Sequence, residues 1–381
     1  MRKKIAILGS TGSIGKTLLN IIEKDKRNFE IVLLTANKNY KTLYKQAKKF
    51  NVKNLIITNP KSYEYFKKKK TRSKINLFGS FKDLNKIFKK KIDYVMSSIV
   101  GIDGLYPTIQ VIKFTKKIAI ANKESIICGW NLIKNELKKN KTQFIPVDSE
   151  HFSLWYGLNN LKTKSLEKIY ITASGGPFYK TPLNKFQNLS VSEALKHPNW
   201  KMGKKITIDS ATMMNKGLEL IEAYHLFPIA EPQIEVLVHP QSVIHSMVEY
   251  VDGSVLAQMG TPDMRTPISF AMEWPNRMQT PSPRLSLADI GTLTFELPDC
   301  ERFPALRLAR EALITGRSAP TVLNAVNEVA VQKFIDGKIG FLDIATTIEE
   351  ALNKIPPHSI SSLEDVIEID AESRAWAIQQ S

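Results

Sequence analysis

The chain opens on a short apolar run, Ile5–Ala6–Ile7–Leu8. It passes straight into Gly9–Ser10–Thr11–Gly12–Ser13–Ile14–Gly15 and then into a helix-forming stretch, Lys16 to Glu23. No other feature of the sequence limits the fold so strongly. A strand that ends in closely spaced glycines and restarts as a helix is the context in which such a motif binds a dinucleotide. The glycines permit a tight turn and close backbone approach, and the N–H groups of the helix start face the pyrophosphate. The first gap between glycines is one residue longer here than in the usual fingerprint. Apolar runs at Phe29–Leu34, Asn54–Thr58, Ile92–Ser97 and Lys117–Ala121 alternate with helical stretches. That alternation predicts an α/β fold with a parallel, doubly wound, Rossmann-like sheet.

The run at Phe29–Leu34 leads into Thr35–Ala36–Asn37–Lys38–Asn39. An NAD site places Asp or Glu near this point to hold the ribose 2′-hydroxyl. A cation and two amides suit a 2′-phosphate instead, so the sequence predicts NADP(H) over NAD(H). Ligands of such sheets collect at the C-terminal ends of the strands. The polar turns Ser97–Gly101 and Ala121–Ser125 fall there, which makes Asn122, Lys123 and Glu124 candidate cofactor or substrate contacts.

A chain of 381 residues holds two or three domains, and 43% hydrophobic with 24% charged residues is the balance of a globular protein. No apolar run of about 18 residues is present, so no membrane span or membrane partner is expected. Cys128 and Cys300 suggest neither a disulfide framework nor a zinc site, which fits a reducing cytoplasm. The net charge is +17, and lysine dominates as far as Lys216 while arginine dominates beyond it. The runs Lys67–Lys70 and Lys89–Lys91 lack interleaved aromatics and read as solvated faces, so no nucleic-acid partner is expected.

Further along, the apolar run Phe144–Val147 ends in Asp148–Ser149–Glu150–His151. Taken alone, a D-x-E pair equally describes an acidic helix start. Joined by Glu219, it makes a three-carboxylate oxygen site, which favours Mg²⁺ or Mn²⁺ over Zn²⁺. His151 reads as a packing residue or one behind the ligands. The alternating Ile206–Thr207–Ile208 predicts a strand, with Asp209 or Ser210 capping a following helix. On that helix Asn215 and Glu219 share a face beside Lys216. A helix start with a lysine suits a phosphate, although a capped surface helix with solvated charges explains the same residues. Ser174–Gly175–Gly176 offers a hydroxyl and backbone N–H groups to an anion. His197–Pro198–Asn199–Trp200–Lys201–Met202–Gly203 reads either as a lid carrying an indole or as a packed loop.

Val236–Val238 and Val243–Val251 read as strands, and Asp252–Gly253 marks a hairpin turn before Ser254–Met259. Such an antiparallel pair is suited to pairing again across a dimer. Asn276–Pro298 reads as a linker arm. Phe303–Leu313, Thr321–Ile335, Phe341–Lys354 and Ser362–Gln380 carry helical periodicity. Asn324, Asn327 and Glu328 are read there as helix-packing and capping groups. The expected division is 1–148 cofactor domain, 149–275 catalytic and dimerisation domain, 276–300 linker and 301–381 helical domain.

Several of these motifs occur together in a fixed order. They are Gly-Ser-Thr-Gly-Ser-Ile-Gly (9–15), Ala-Asn-Lys-Glu-Ser (121–125), Val-Asp-Ser-Glu-His (147–151), Ala-Ser-Gly-Gly-Pro-Phe (173–178), the 197–203 segment and Asp-Ser-Ala-Thr-Met-Met-Asn-Lys-Gly-Leu-Glu (209–219). With His-Pro-Gln-Ser-Val-Ile-His-Ser-Met-Val (239–248), Gly-Thr-Pro-Asp-Met-Arg-Thr-Pro-Ile (260–268) and Leu-Asn-Ala-Val-Asn-Glu (323–328), the series resembles the 1-deoxy-D-xylulose 5-phosphate reductoisomerases of the non-mevalonate isoprenoid pathway across essentially the whole chain.

The resemblance implies NADPH, a divalent cation (Mn²⁺ or Mg²⁺), a homodimer and a phosphorylated sugar substrate. It implies isomerisation of that sugar and its reduction to 2-C-methyl-D-erythritol 4-phosphate. By the same likeness Asp148, Glu150 and Glu219 hold the metal, while Ser149, Glu150 and Lys123 contact the oxygen-bearing carbons. Ser174, Ser210, Asn215 and Lys216 contact the substrate mainly around its phosphate. His197 lines the site and Trp200 rides on a closing flap. Thr11, Gly12, Ser13, Ile14, Asn37, Lys38, Asn39, Asn122, Glu124 and Gly203 meet NADPH. Ala36–Asn37 departs from the Ala–Gly that the likeness leads one to expect before Lys–Asn. Two readings compete with this one: another NADP-dependent, metal-assisted dehydrogenase of a phosphorylated substrate, and a basic nucleic-acid binder.

Overall fold

The computed structural model describes residues 2–69, 74–158, 165–200 and 202–380. Lys70 of the first lysine run and Lys201 of the tryptophan segment lie outside them. The chain forms two compact units. The first comprises Met1–Ser125, Gly129–Asp148 and Asp263–Ser282, and the second Ile126–Cys128, Ser149–Pro262 and Pro283–Ser381.

The first unit is built on seven strands: β1 (Lys3–Leu8), β2 (Phe29–Ala36), β3 (Asn54–Ile57), β4 (Asn76–Phe78), β5 (Ile92–Ser97), β6 (Thr115–Ile120) and β7 (Gln143–Pro146). They lie in the order β4-β3-β2-β1-β5-β6-β7, every pair parallel. A parallel sheet covered by helices buries both faces, so its strands read as unbroken apolar runs rather than alternating ones. Ile5, Ala6, Ile7 and Leu8 accordingly are all buried. The chain winds outward from β1 to β4 and then returns to the other side of β1, so the switch point lies between β1 and β5. The crevice expected at such a point opens beyond Leu8 and Ser97. Ile268, Ala271 and Met272 of the Arg265–Glu273 helix join this unit's core, and Lys3 Nζ reaches Glu273 Oε2 at 2.7 Å.

The second unit has a sheet of four strands, β8 (Leu166–Ala173), β9 (Ile234–Val238), β10 (Ile244–Tyr250) and β11 (Val255–Met259), in the order β11-β10-β8-β9. Only β8 and β9 run parallel. The helices Pro304–Thr315, Ala319–Ile335, Asp343–Lys354 and Leu363–Gln379 follow, close to the spans that periodicity predicts. Among the described residues no helix is long and apolar enough to cross a membrane.

One expectation fails here. Ile206–Ile208 is not a strand; it lies inside a helix, Lys204–Ala211. The buried positions are Thr207, Ile208, Asp209 and Ala211, which is a helical spacing. The helix starts at Gly203, whose carbonyl accepts from Thr207 Oγ1 at 2.8 Å. Two β-branched residues flanking a third suggest a strand, but tertiary burial overrides so short a preference. Asp209 and Ser210 therefore end one helix rather than cap the next. The following helix, Met214–Leu226, starts after Met213, which turns the chain at φ 63° with no side-chain cap.

Candidate active site

In the first unit the glycine turn is held from three sides. Gly9 has φ +80°, and a Cβ there would lie 2.7 Å from the Ser98 carbonyl oxygen. A Cβ on Gly15 would meet Ser10 Cα at 2.5 Å, so helix and turn touch through bare backbone. Gly9 N–H donates to Thr35 Oγ1 at 2.9 Å and Ser10 Oγ donates to Gln46 Oε1 at 2.8 Å. The Ser13–Lys24 helix starts at Gly12 with no side-chain cap, so its first N–H groups remain for an anion. Thr11, Gly12, Ser13 and Ile14 are exposed or half-buried around it, and Asn37, Lys38 and Asn39 stand exposed after β2. Asn39 also caps the Tyr40–Phe50 helix by accepting from Thr42 N–H at 3.2 Å. Asn122 is buried. Its amide donates to the carbonyls of Ile99 and Gly101, and its oxygen caps Ser125 N–H. That side chain closes the 99–101 turn, and Glu124 beside it is buried too. Lys123, buried at the start of its helix, places Nζ 3.4 Å from Asp148 Oδ2, just beyond the end of β7.

In the second unit two helices supply the polar corner. The first turn of Ser149–Leu158 carries Ser149 and Glu150, and Met214–Leu226 carries Asn215, Lys216 and Glu219 on one face. Lys216 is 4% exposed and Glu219 2%. The Lys216 ammonium bridges the two carboxylates, 2.9 Å from Glu150 Oε1 and hydrogen-bonded to Glu219 Oε2. Asn215 Nδ2 donates to Glu219 Oε1 at 2.6 Å, and Ser149 Oγ donates to Glu150 Oε2 at 2.5 Å. A buried and a half-buried carboxylate sharing one ammonium are costly unless their oxygens are satisfied, and here each of the four has a donor. Glu150 and Glu219 offer oxygens within 4.8 Å of one another, a spacing that one cation can bridge. Behind them His151 Nε2 donates to the Glu219 carbonyl at 2.9 Å and Ser246 Oγ donates to that of Glu150 at 3.2 Å. His151 thus ties the start of its own helix to the backbone of the helix that carries Glu219.

A second polar group forms after β8. Gly175 and Gly176 take φ +82° and +67°, and a Cβ on Gly176 would lie 2.7 Å from the Ser210 carbonyl oxygen. The 174–176 turn therefore packs directly on Ser210. His197 Nδ1 accepts from the N–H of Asn199 at 3.1 Å and of Trp200 at 2.9 Å. Its proton must then sit on Nε2, which donates to Ser174 Oγ at 3.0 Å. Gly176 N–H donates to the same oxygen at 3.2 Å. With both lone pairs taken, the Ser174 hydroxyl has its own proton left to give outward. Burial holds the His197 pKa below the usual histidine value, which keeps the ring in this neutral form. Trp200 is half-buried, its ring 6.3 Å from that of His245, and Gly203 is exposed at the start of the next helix.

Local sequence gave no sign of Thr35 and Gln46 under the glycine turn, or of Ser246 behind Glu150. Nor did it show that Asp209, expected as a cap, accepts from Asn327 Nδ2 at 2.8 Å and pairs with Lys205 at 2.9 Å. Apart from the Lys205–Asp209 pair, these partners lie between 26 and 118 residues apart and leave no local spacing to read.

Three family models match the chain: 1-deoxy-D-xylulose 5-phosphate reductoisomerase at residues 5–129, its C-terminal domain at 144–227, and the DXP reductoisomerase C-terminal domain at 259–376. The 1-deoxy-D-xylulose 5-phosphate reductoisomerase of Zymomonas mobilis is 46% identical over 375 residues, covering 98% of this chain and 97% of that one. That of Pelagibacter ubique is 50% identical over 353 residues, 92% of this chain and 91% of the other. The Zymomonas mobilis enzyme in complex with NADPH superimposes with a TM-score of 0.92 at 44% identity, over 99% of this chain and 98% of that one. A DOX-P reductoisomerase in complex with NADPH, fosmidomycin and magnesium does so with 0.92 at 38% identity, over 99% and 97%. The chain belongs to the 1-deoxy-D-xylulose 5-phosphate reductoisomerase family.

Proposed function

We propose that this NADPH-dependent oxidoreductase converts 1-deoxy-D-xylulose 5-phosphate to 2-C-methyl-D-erythritol 4-phosphate with a divalent cation held by Asp148, Glu150 and Glu219. The observation that carries the metal assignment is the convergence of half-buried Glu150 and buried Glu219 on one cationic group. Asp148 lies two residues before Glu150 in the chain. An all-oxygen carboxylate set suits Mg²⁺ and Mn²⁺ alike. Bound there, the ion supplies Lewis acidity at the sugar's keto and hydroxyl oxygens and fixes their orientation.

The chain's own groups do the rest. Ser149, Glu150 and Lys123 face the oxygen-bearing carbons. Ser174 gives its hydroxyl proton to the phosphate, and Ser210, Asn215 and Lys216 add donors around it. Phosphate binding at a distance from the reacting carbons then helps to orient them. His197 sets the direction of the Ser174 hydroxyl, and Trp200 covers the sugar. In the first unit Thr11, Gly12, Ser13 and Ile14 cradle the pyrophosphate, and Asn37, Lys38 and Asn39 meet the 2′-phosphate. Asn122, Glu124 and Gly203 complete the cofactor contacts, Asn122 by shaping the 99–101 turn. The sheet edge β11, with Val255 and Leu256 exposed, is suited to pairing with a second copy in a cytoplasmic homodimer.

The test is direct: mix the protein with 1-deoxy-D-xylulose 5-phosphate, NADPH and Mg²⁺ or Mn²⁺, and follow the reduced nicotinamide. Oxidation that needs both sugar and metal supports the reading. Oxidation with another phosphorylated substrate but not this one overturns it.

A further inference from the structure

The motif Leu-Asn-Ala-Val-Asn-Glu (323–328) has no role in the site described above. It lies on the Ala319–Ile335 helix, where Thr321, Asn324 and Asn327 recur every three residues on one buried face. Thr321 Oγ1, Asn324 Oδ1 and Asn327 Oδ1 are buried without a hydrogen-bond partner among the described residues. Polar groups kept in a core at that cost call for an explanation. Asn327 supplies one: its amide donates to Asp209 Oδ1 at 2.8 Å, with Asn327 0% and Asp209 1% exposed. Lys205 Nζ sits 2.9 Å from the other oxygen, Asp209 Oδ2. Asp209 adjoins Ser210, whose carbonyl packs against Gly176 in the turn that carries Ser174. The neighbouring helix is braced from the same direction, since a Cβ on Gly217 would lie 2.5 Å from Ala309 Cβ.

We propose that Asn327 is a positioning residue for the substrate's phosphate. Through Asp209 it fixes the end of the Lys204–Ala211 helix, and with it the distance between the Ser210 and Ser174 hydroxyls. The C-terminal helices thereby set the width of the anion cradle, although none of their residues touches the substrate. This inference rests on the phosphate reading of Ser174 and Ser210.

The test compares steady-state constants and thermal midpoints for Asn327→Ala, Asn327→Asp, Ser210→Ala, the Asn327→Ala/Ser210→Ala pair, and the exchange Asp209→Asn/Asn327→Asp. Asn327→Ala should raise KM for the sugar phosphate about tenfold, the size of one lost hydrogen bond to a charged group, with kcat and the NADPH KM within about threefold. Where that variant does not fold, Asn327→Ser takes its place. Asn327→Asp should be worse, because two carboxylates then face each other. The exchange restores the bond with its ends swapped but gives up the Lys205–Asp209 pair, so it should recover part of the KM relative to Asn327→Asp. If Asn327 acts through Ser210, the double alanine variant should be no worse than Ser210→Ala alone. An unchanged KM in Asn327→Ala, or equal losses in kcat and NADPH affinity, would overturn the inference. Ser210→Ala with an unchanged KM would instead refute the phosphate reading beneath it.

Discussion

The glycine turn of the first unit and the polar corner of the second are both proposed to receive anions, but they are wired differently. The turn offers backbone N–H groups from consecutive residues, and its tolerance is set by Cβ atoms: Gly9 and Gly15 have no room for one. The corner offers side chains from separate stretches, at 149–150, 174–176, 197–200 and 210–219, with Asn327 behind them. A backbone cradle recognises a general phosphate shape and is written in one run of sequence. A cradle of buried side chains selects particular chemistry, and its parts are coupled through packing and charge.

The contrast can be broken or sharpened by substitution. The largest effect is expected for Glu150→Gln. Losing a ligand to the Lewis acid should lower kcat about a thousandfold or more while NADPH affinity in the other unit stays put. Turnover near the parent level would remove Glu150 from the metal set. Next is Lys216→Ala, with KM for the sugar phosphate rising on the order of ten- to a hundredfold through the loss of a charge-assisted contact. Because the ammonium and a divalent ion compete for the same oxygens, the variant should bind Mn²⁺ at least as well as the parent. An unchanged KM would contradict a phosphate role.

Gly15→Ala should do the converse. A Cβ pressed to 2.5 Å against Ser10 Cα must move backbone, costing about 1–3 kcal/mol in stability and at least tenfold in NADPH affinity. Binding of the sugar phosphate to the cofactor-free protein should be spared; parallel losses in both ligands would erase the distinction between the two units.

A fourth expectation concerns pH. His197 has a folded pKa below its unfolded value of 6.5, because burial penalises the charged ring. Its neutral form is therefore retained above the folded pKa and lost as pH falls through it. Protonation forces a hydrogen onto Nδ1 against two N–H donors and should raise KM for the sugar phosphate in acid. Below pH 6.5 the unfolded chain also takes up this proton first, so His197 subtracts from stability as the solution is acidified. A KM flat with pH down to the acid limit of folding would disprove the tautomer assignment. The smallest effect belongs to exposed Lys38: Lys38→Ala should narrow the preference for NADPH over NADH several-fold, about the worth of one solvated ion pair.

Legibility followed the same divide. The parallel sheet could be read because strands buried on both faces are apolar throughout, as Ile5–Leu8 shows. The turn could be read because its glycines lie in one run, Gly9 to Gly15, although Thr35, Gln46 and Ser98, which hold it, do not. The corner's residues could be named from motif resemblance, but their arrangement could not. Ile206–Ile208 looks like a strand and is a helix, because its environment, a buried face against distant helices, is not in the local pattern. The return of Asp263–Ser282 to the first unit likewise leaves no periodic trace. Asn327 reads as an ordinary core polar group until Asp209 is brought beside it.

The proposal that Asp148, Glu150 and Glu219 hold a metal stands or falls on metal binding itself. Mn²⁺ titration followed by electron paramagnetic resonance, on the parent and on Glu219→Gln, tests it without turnover. The account predicts saturable binding in the parent that weakens by about a hundredfold or more in the variant, beyond what an outer-shell change costs, with NADPH binding unaltered. Equal Mn²⁺ affinity in the two proteins would contradict it.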